Sequence, residues 1–182
     1  MTLRYDRDRL IELVKRDALR FGDFTLSSGA KASYYIDCRL VSLHSEGLVQ
    51  VSAGMLEKLG DAPIDAVGGP TLAADPIVAG MLALAGGAGR ELRGFIVRKQ
   101  AKEHGAGKLV EGPIRKGDRC VVVEDTATTG GSIQHAVNAV QAEGATVVRI
   151  LVLIDRLVGA ADKFAEQGIP FESLLTIRDL GL

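Results

Sequence analysis

Cysteine is scarce in this chain of 182 residues, which carries only Cys38 and Cys120. Neither their spacing nor their surroundings suggests metal or redox chemistry, and Cys120 stands in an apolar run where a reduced, buried thiol is expected. An excess of charge is also lacking. Lys+Arg 22 against Asp+Glu 23 leaves a formal net charge of -1, which argues against bulk attraction to nucleic acid or an anionic membrane, so any anion site must be local. Long hydrophobic runs are missing too. Hydrophobic residues make up 47% of the chain, but Gly, Pro or charge interrupts each apolar stretch well short of the ~20 residues of a membrane span. The opening MTLRYDRDRL has no apolar core of a signal peptide, and the expected location is the cytoplasm. Repeats and low-complexity linkers are absent, and the length suits a single domain over residues 1–182 with a full core.

What is present is an alternation of periods. Leu10, Leu13, Val14 and Ala18 recur at helical spacing and predict an amphipathic helix from about Asp6 to Arg20, stopped by Phe21-Gly22-Asp23. FTLSSGAKASYYID, residues 24–37, reads as two short strands about a turn at Ser28-Gly29. Helices are predicted over Ser45–Leu59, Leu72–Ala85 and Gly131–Glu143, and strands over Asp65–Gly68, Leu92–Arg98, Cys120–Glu124 and Thr146–Ile154. A short helix ending near Gln167 and a strand over Phe171–Leu175 close the chain. Strand-helix alternation predicts an α/β fold with a mainly parallel central sheet flanked by helices.

The run CVVVEDTATTGGSI from Cys120 to Ile133 is the most informative. Val121 to Val123 lack polar alternation, as in a central strand covered on both faces. Glu124 and Asp125 follow at its carboxyl end, where open α/β sheets bind ligands. The small and hydroxylic residues Thr126, Ala127, Thr128, Thr129, Gly130, Gly131 and Ser132 let backbone N–H groups approach an anion, and the helix starting near Gly131 adds its positive dipole end. No Gly-Lys-Ser/Thr follows, and no Gly-x-Gly-x-x-Gly is present, so this is neither a Walker A loop nor a dinucleotide fingerprint. An ionised carboxylate only accepts hydrogen bonds, whereas a ribose diol can donate two. Acids before the loop and an anion cradle after them therefore describe a sugar 5-phosphate site.

This run resembles the signature of type I phosphoribosyltransferases, which bind 5-phosphoribosyl-1-pyrophosphate (PRPP). The resemblance implies that Glu124 and Asp125 contact the ribose 2- and 3-hydroxyls and that the residues from Thr126 to Ser132 hold the 5-phosphate. A second segment, RKQAKEHGAG, sets Arg98, Lys99, Lys102 and His104 beside Gly105 and Gly107. Cations on a glycine-punctuated loop can arrive with substrate, stabilise a departing pyrophosphate and exclude water. The string RKxxKxHG is similar to the flexible lid of orotate phosphoribosyltransferases, here about residues 99–109. Residues Phe24–Gly29 and Ser33–Asp37 look like that family's amino-terminal hood, about residues 1–40, with a possible contribution from the carboxyl terminus. The PRPP-binding core is then about residues 62–158.

From the same resemblance, Tyr34, Tyr35, Thr128 and Arg156 are expected at orotate, with Tyr35 nearer the base than Tyr34. Lys99, Lys102, His104 and Asp125 are the expected catalytic residues. The implied reaction forms orotidine 5-monophosphate and pyrophosphate in pyrimidine (UMP) biosynthesis. Its cofactor would be Mg2+, held mainly by PRPP and water with no direct protein ligand. The family's usual homodimer would share the lid between subunits, and no nucleic acid or membrane partner is expected. The segment Val67–Pro76 resembles the family's pyrophosphate loop, but Ala73 and Ala74 stand where many relatives carry a lysine, and Ser27 stands where many carry Lys or Arg. Two other readings of the same fold are a purine phosphoribosyltransferase and a non-catalytic PRPP-binding regulator. The first lacks the combination of hood and lid. The second needs clustered basic surface that the charge balance does not provide.

Overall fold

The computed structural model describes residues 4–25, 31–100 and 108–182. Ser27, the turn at Ser28-Gly29, Lys102 and His104 lie outside the described residues. The chain opens with α1 (Arg7–Leu13), capped by Asp6, whose carboxylate accepts from the Arg9 N–H at 3.0 Å. The expected helix to Arg20 is cut short. One wider, π-type turn covers Val14–Ala18, and strand β1 (Leu19–Thr25) begins at once. The reason is tertiary: β1 pairs antiparallel with β2 (Lys31–Ile36), with Leu19 opposite Ile36 and Phe21 opposite Tyr34, and strand hydrogen bonds replace a last helical turn. Phe21-Gly22-Asp23 is therefore not a helix stop; it lies at an irregularity in the pairing of β1.

The short helix α2 (Arg39–Ser42) and the longer α3 (Ser45–Leu59) follow. The four-residue α2 has no apolar period to announce it. Then come β3 (Ala66–Pro70), α4 (Ala74–Gly87), β4 (Arg93–Val97), β5 (Val110–Glu111), β6 (Arg119–Ala127), α5 (Gly131–Ala142), β7 (Thr146–Asp155), α6 (Ala160–Ala165) and β8 (Phe171–Thr176). A 3-10 turn over Ile177–Leu180 closes the chain, held by reciprocal bonds between Thr176 and Asp179.

The central sheet has the order β5-β4-β3-β6-β7-β8, parallel except for the antiparallel edge pair β4 and β5. Strand β8 completes this sheet, so among the described residues the separate two-stranded sheet comes from the amino-terminal segment alone. Each face has its own core. Val67, Val121, Val123, Leu151 and Leu153 pack with Leu10, Met55, Ile77 and Met81 from α1, α3 and α4. Cys120, Val122, Ile150 and Val152 pack on the other face with Ile133, Val137 and Val140 from α5 and Phe164 from α6. The period of two along β6 and β7 feeds both layers, which explains why neither strand shows polar alternation.

Candidate active site

The site grows from the carboxyl end of β6. The strand does not stop at Glu124, as its apolar run suggested, but continues through Asp125, Thr126 and Ala127, because β7 is long enough to pair with it as far as Asp155. The Arg156 N–H then donates to the Ala127 carbonyl at 2.9 Å. Only Thr128, Thr129 and Gly130 remain as the loop before α5. Gly130 takes a left-handed conformation, φ 72°, and a Cβ there would stand 2.7 Å from Cε2 of the Phe164 ring. Glycine is thus required both by the backbone and by the aromatic floor beneath it. Lys163 Nζ donates to the Gly130 carbonyl at 3.4 Å, bracing the turn from α6.

Glu124 is buried, 4% exposed, and Asp125 is half-buried beside it. Burial is the first cause that raises the pKa of Glu124, and the neighbouring Asp125 charge adds to it; a hydrogen bond from Ser132 opposes the rise. Burial raises Asp125 as well, against hydrogen bonds from Thr126 and the charge of Arg39. Two adjoining carboxyls in one low-dielectric pocket hold protons more firmly than they would in water. They are therefore poised to gain from hydroxyl donors or from positive charge arriving in the site.

Both acids line a cavity of about 500 Å³. Its wall also contains Tyr35, Lys99, Thr126 and Ser132, which the sequence had singled out, and Pro70–Ala73, the turn after β3. The Thr71–Leu72 peptide bond is cis, and Thr71 Oγ1 donates to Asp75 Oδ2 at 2.7 Å. Other expected site residues stand elsewhere. Arg98 directs Nε to Glu111 at 3.1 Å. Tyr34 and Arg156 meet each other: Nη2 donates to the Tyr34 hydroxyl at 3.1 Å, with the guanidinium 5.3 Å from the ring centre. Ala127 is buried in the core, while Thr128 and Thr129 are exposed at the loop tip. Three polar residues of the wall, Asp37, Arg39 and His135, had no individual site role in the sequence. His135 Nε2 lies 2.8 Å from the Arg98 carbonyl, and since a carbonyl only accepts, Nε2 carries the proton. Asp37 and Arg39 form a two-pronged ion pair, at 2.8 and 2.9 Å. The Arg39 bonds hold the Asp37 carboxyl below the usual range. A signal existed only in the short Asp-x-Arg spacing that follows the Tyr34-Tyr35 pair.

The chain is similar in sequence and fold to known proteins. Residues 73–167 match the family model of the phosphoribosyl transferase domain. Orotate phosphoribosyltransferase of Rhodopirellula baltica is 48% identical over 180 residues, covering 95% of this chain and 93% of the relative. The crystal structure of Mycobacterium tuberculosis H37Rv orotate phosphoribosyltransferase in complex with Fe(III) dicitrate has a TM-score of 0.87 at 42% identity, covering 97% of this chain and 99% of that one.

The chain belongs to the orotate phosphoribosyltransferase family.

A further structure of the M. tuberculosis enzyme, in complex with PRPP, has a TM-score of 0.83 at 39% identity over 97% of this chain. In this member of the orotate phosphoribosyltransferase family, the pairing of β6 with β7 sets the acid pair, and Phe164 and Lys163 of α6 seat the glycine turn beside it. The described residues contain no helix long and apolar enough to cross a membrane.

Proposed function

We propose that the chain transfers the phosphoribosyl group of PRPP to N1 of orotate, breaking the bond from C1 to the pyrophosphate oxygen and forming a bond from C1 to nitrogen. The observation that carries this reading is the adjacency of the buried Glu124 and half-buried Asp125, at the end of β6, to the Gly130 turn that opens α5. Glu124 and Asp125 accept hydrogen bonds from the ribose diol, and their negative charge offsets the positive charge that develops on an oxocarbenium-like ribose. The backbone from Thr126 to Ser132, with the amino-terminal end of α5, takes the 5-phosphate. Lys99 meets the leaving pyrophosphate, together with Lys102 and His104 of the lid sequence; Arg98 joins them by exchanging its ion pair with Glu111 for the phosphoryl oxygens. Tyr34, Tyr35, Thr128 and Arg156 recognise orotate; an arginine offers planar donors to a carboxylate and a carbonyl.

Orotate has an acidic ring N–H, so positioning and charge stabilisation dominate, with no covalent enzyme intermediate. Mg2+ would arrive held mainly by the oxygens of PRPP and water, with no direct protein ligand; among the described residues no three His, Cys, Asp or Glu side chains form a group that could hold a metal ion. When bound, Mg2+ neutralises charge on the diphosphate. We assign the working form to a cytoplasmic homodimer whose lid, about residues 99–109, reaches the neighbouring subunit's site. The single domain then divides into a hood of about residues 1–40 and a core of about residues 62–158.

The test is pyrophosphate release from PRPP and Mg2+ with orotate, adenine, hypoxanthine and uracil in separate reactions. Orotate is expected to be the substrate that turns over; turnover of a purine without orotate defeats the proposal. Sharing of sites is checked by mixing Lys102→Ala and Asp125→Asn chains, each inactive alone. If lids cross over, each mixed dimer has one intact site of its two, so a randomly paired equal mixture should regain about a quarter of the parental activity, and no regain excludes crossing.

A further inference from the structure

We propose that Arg39 is a diphosphate-binding residue of this site, its guanidinium held by Asp37 so that the opposite edge of the fork receives phosphoryl oxygens. This rests on the phosphoribosyl-transfer reading above.

The geometry begins with the ion pair. Asp37 Oδ1 accepts from Arg39 Nε at 2.8 Å and Oδ2 accepts from Nη2 at 2.9 Å. The same Oδ1 also takes the Arg39 backbone N–H at 3.2 Å, so one carboxylate restrains both ends of the residue. A guanidinium carries five N–H donors in one plane. With Nε and one Nη2 hydrogen engaged, the two Nη1 hydrogens and the second Nη2 hydrogen have no partner among the described residues, and they include the edge that matches two oxygens of a phosphoryl group. The Arg39 side chain is 47% exposed, so this edge is not sealed into the core.

Placement then selects the anion. Arg39 lines the same cavity as Glu124 and Asp125. Among the described wall residues, the fixed cations are Arg39 and Lys99, and the Pro70–Ala73 wall has no cationic side chain. The electrostatic coupling between Arg39 and Asp125 puts its charge near the ribose diol. In PRPP the diphosphate hangs on C1, next to the 2-hydroxyl, while the 5-phosphate is assigned to the backbone turn at the start of α5. A cation on the α2 side of the acid pair is therefore matched to the diphosphate. A half-exposed ion pair is weak in water, so a more highly charged phosphoryl group can add to the free edge without displacing Asp37.

Two probes separate the possibilities: pyrophosphate and ribose 5-phosphate, each titrated calorimetrically in Mg2+ into the full chain, its Arg39→Met variant and its Arg39→Lys variant. Arg39→Met is expected to bind pyrophosphate about 10- to 100-fold more weakly, the range for a lost charged hydrogen-bond pair, with ribose 5-phosphate within about twofold. Arg39→Lys keeps the charge but not the fork, and should fall between the two. Unchanged pyrophosphate affinity in Arg39→Met overturns the assignment, and so does an equal loss of both probes. If Arg39→Met does not fold, Arg39→Lys decides: parental affinity for pyrophosphate overturns the assignment, and selective weakening supports it. A parent chain that binds neither probe rejects the phosphoribosyl-transfer reading itself, whereas one that binds ribose 5-phosphate alone rejects only the role of Arg39.

Discussion

Arg156 donates from Nη2 to the Tyr34 hydroxyl at 3.1 Å, with its guanidinium over the same ring, and so links the β1–β2 hairpin to the end of β7. The contact holds a cation beside the proposed orotate pocket through an aromatic face and one hydrogen bond. Tyr34→Phe keeps the ring and removes the bond. Steady-state kinetics should show the orotate KM rising about 3- to 10-fold, as for one hydrogen bond of about 1 kcal/mol, with the PRPP KM within about twofold. An unchanged orotate KM would separate Arg156 from base recognition.

The raised pKa of Glu124 gives stability a defined pH dependence. The folded chain holds this proton more tightly than the unfolded chain, whose carboxyl titrates near 4.5. The associated stability is fully present below that value and is lost as the pH rises through the higher folded value. Glu124→Gln removes the buried charge at similar volume. It should unfold at higher urea than the parent at pH 8, by about 1–3 kcal/mol, and at the same urea at pH 4.5. Its affinity for PRPP should fall at both pH values. A urea midpoint that shifts equally at the two pH values contradicts the assignment.

Gly130 is constrained twice, by φ 72° and by the ring of Phe164. Gly130→Ala should lose about 1–3 kcal/mol of stability from left-handed strain plus overpacking, read as a lower thermal midpoint. Ribose 5-phosphate binding should weaken at least tenfold, because the first N–H groups of α5 are re-aimed. An alanine variant with parental midpoint and affinity would show that the turn tolerates a side chain.

His135 holds the Arg98 carbonyl at 2.8 Å, directly before Lys99. His135→Ala frees the base of the lysine-bearing segment and is expected to lower kcat/KM about 5- to 10-fold, near 1 kcal/mol. His135→Gln, whose amide nitrogen can reach the same carbonyl, should recover most of that loss. Failure of glutamine to do better than alanine removes this hydrogen bond from the account.

Both thiols are buried, and burial raises Cys38 and Cys120, the latter to about 12. Native protein at pH 8 should therefore react with a disulfide reagent at under one thiol per chain over several minutes, and with both thiols after denaturation. Fast labelling of the native chain would show that Cys38, which accepts from Thr126 Oγ1 at 3.6 Å, opens with the site.

Much of this architecture was legible in local pattern. Helix α3 runs over the expected residues 45–59, and β3, β4, α5, β7 and β8 lie within two residues of their expected bounds at nearly every end, because their apolar periods are strong and their flanks carry glycine or charge. The errors fall where partners lie far off in sequence. Leu19 and Arg20 continue a helical period yet pair with Ile36 and Tyr35. Thr126 and Ala127 look like loop residues, but they extend β6 because β7 is there to pair with them. The four residues of α2 are too few to show any period.

The residue order of CVVVEDTATTGGSI was enough to determine a buried strand, two acids at its end and an anion-binding turn, since hydrogen-bonding capacity and backbone freedom are properties of the residues themselves. Only the tertiary structure decided which charges share that cavity. Arg39 joins it through α2 and His135 through α5, while Arg98 turns aside to Glu111. Side-chain direction and proximity depend on how distant elements pack, and no local period encodes them.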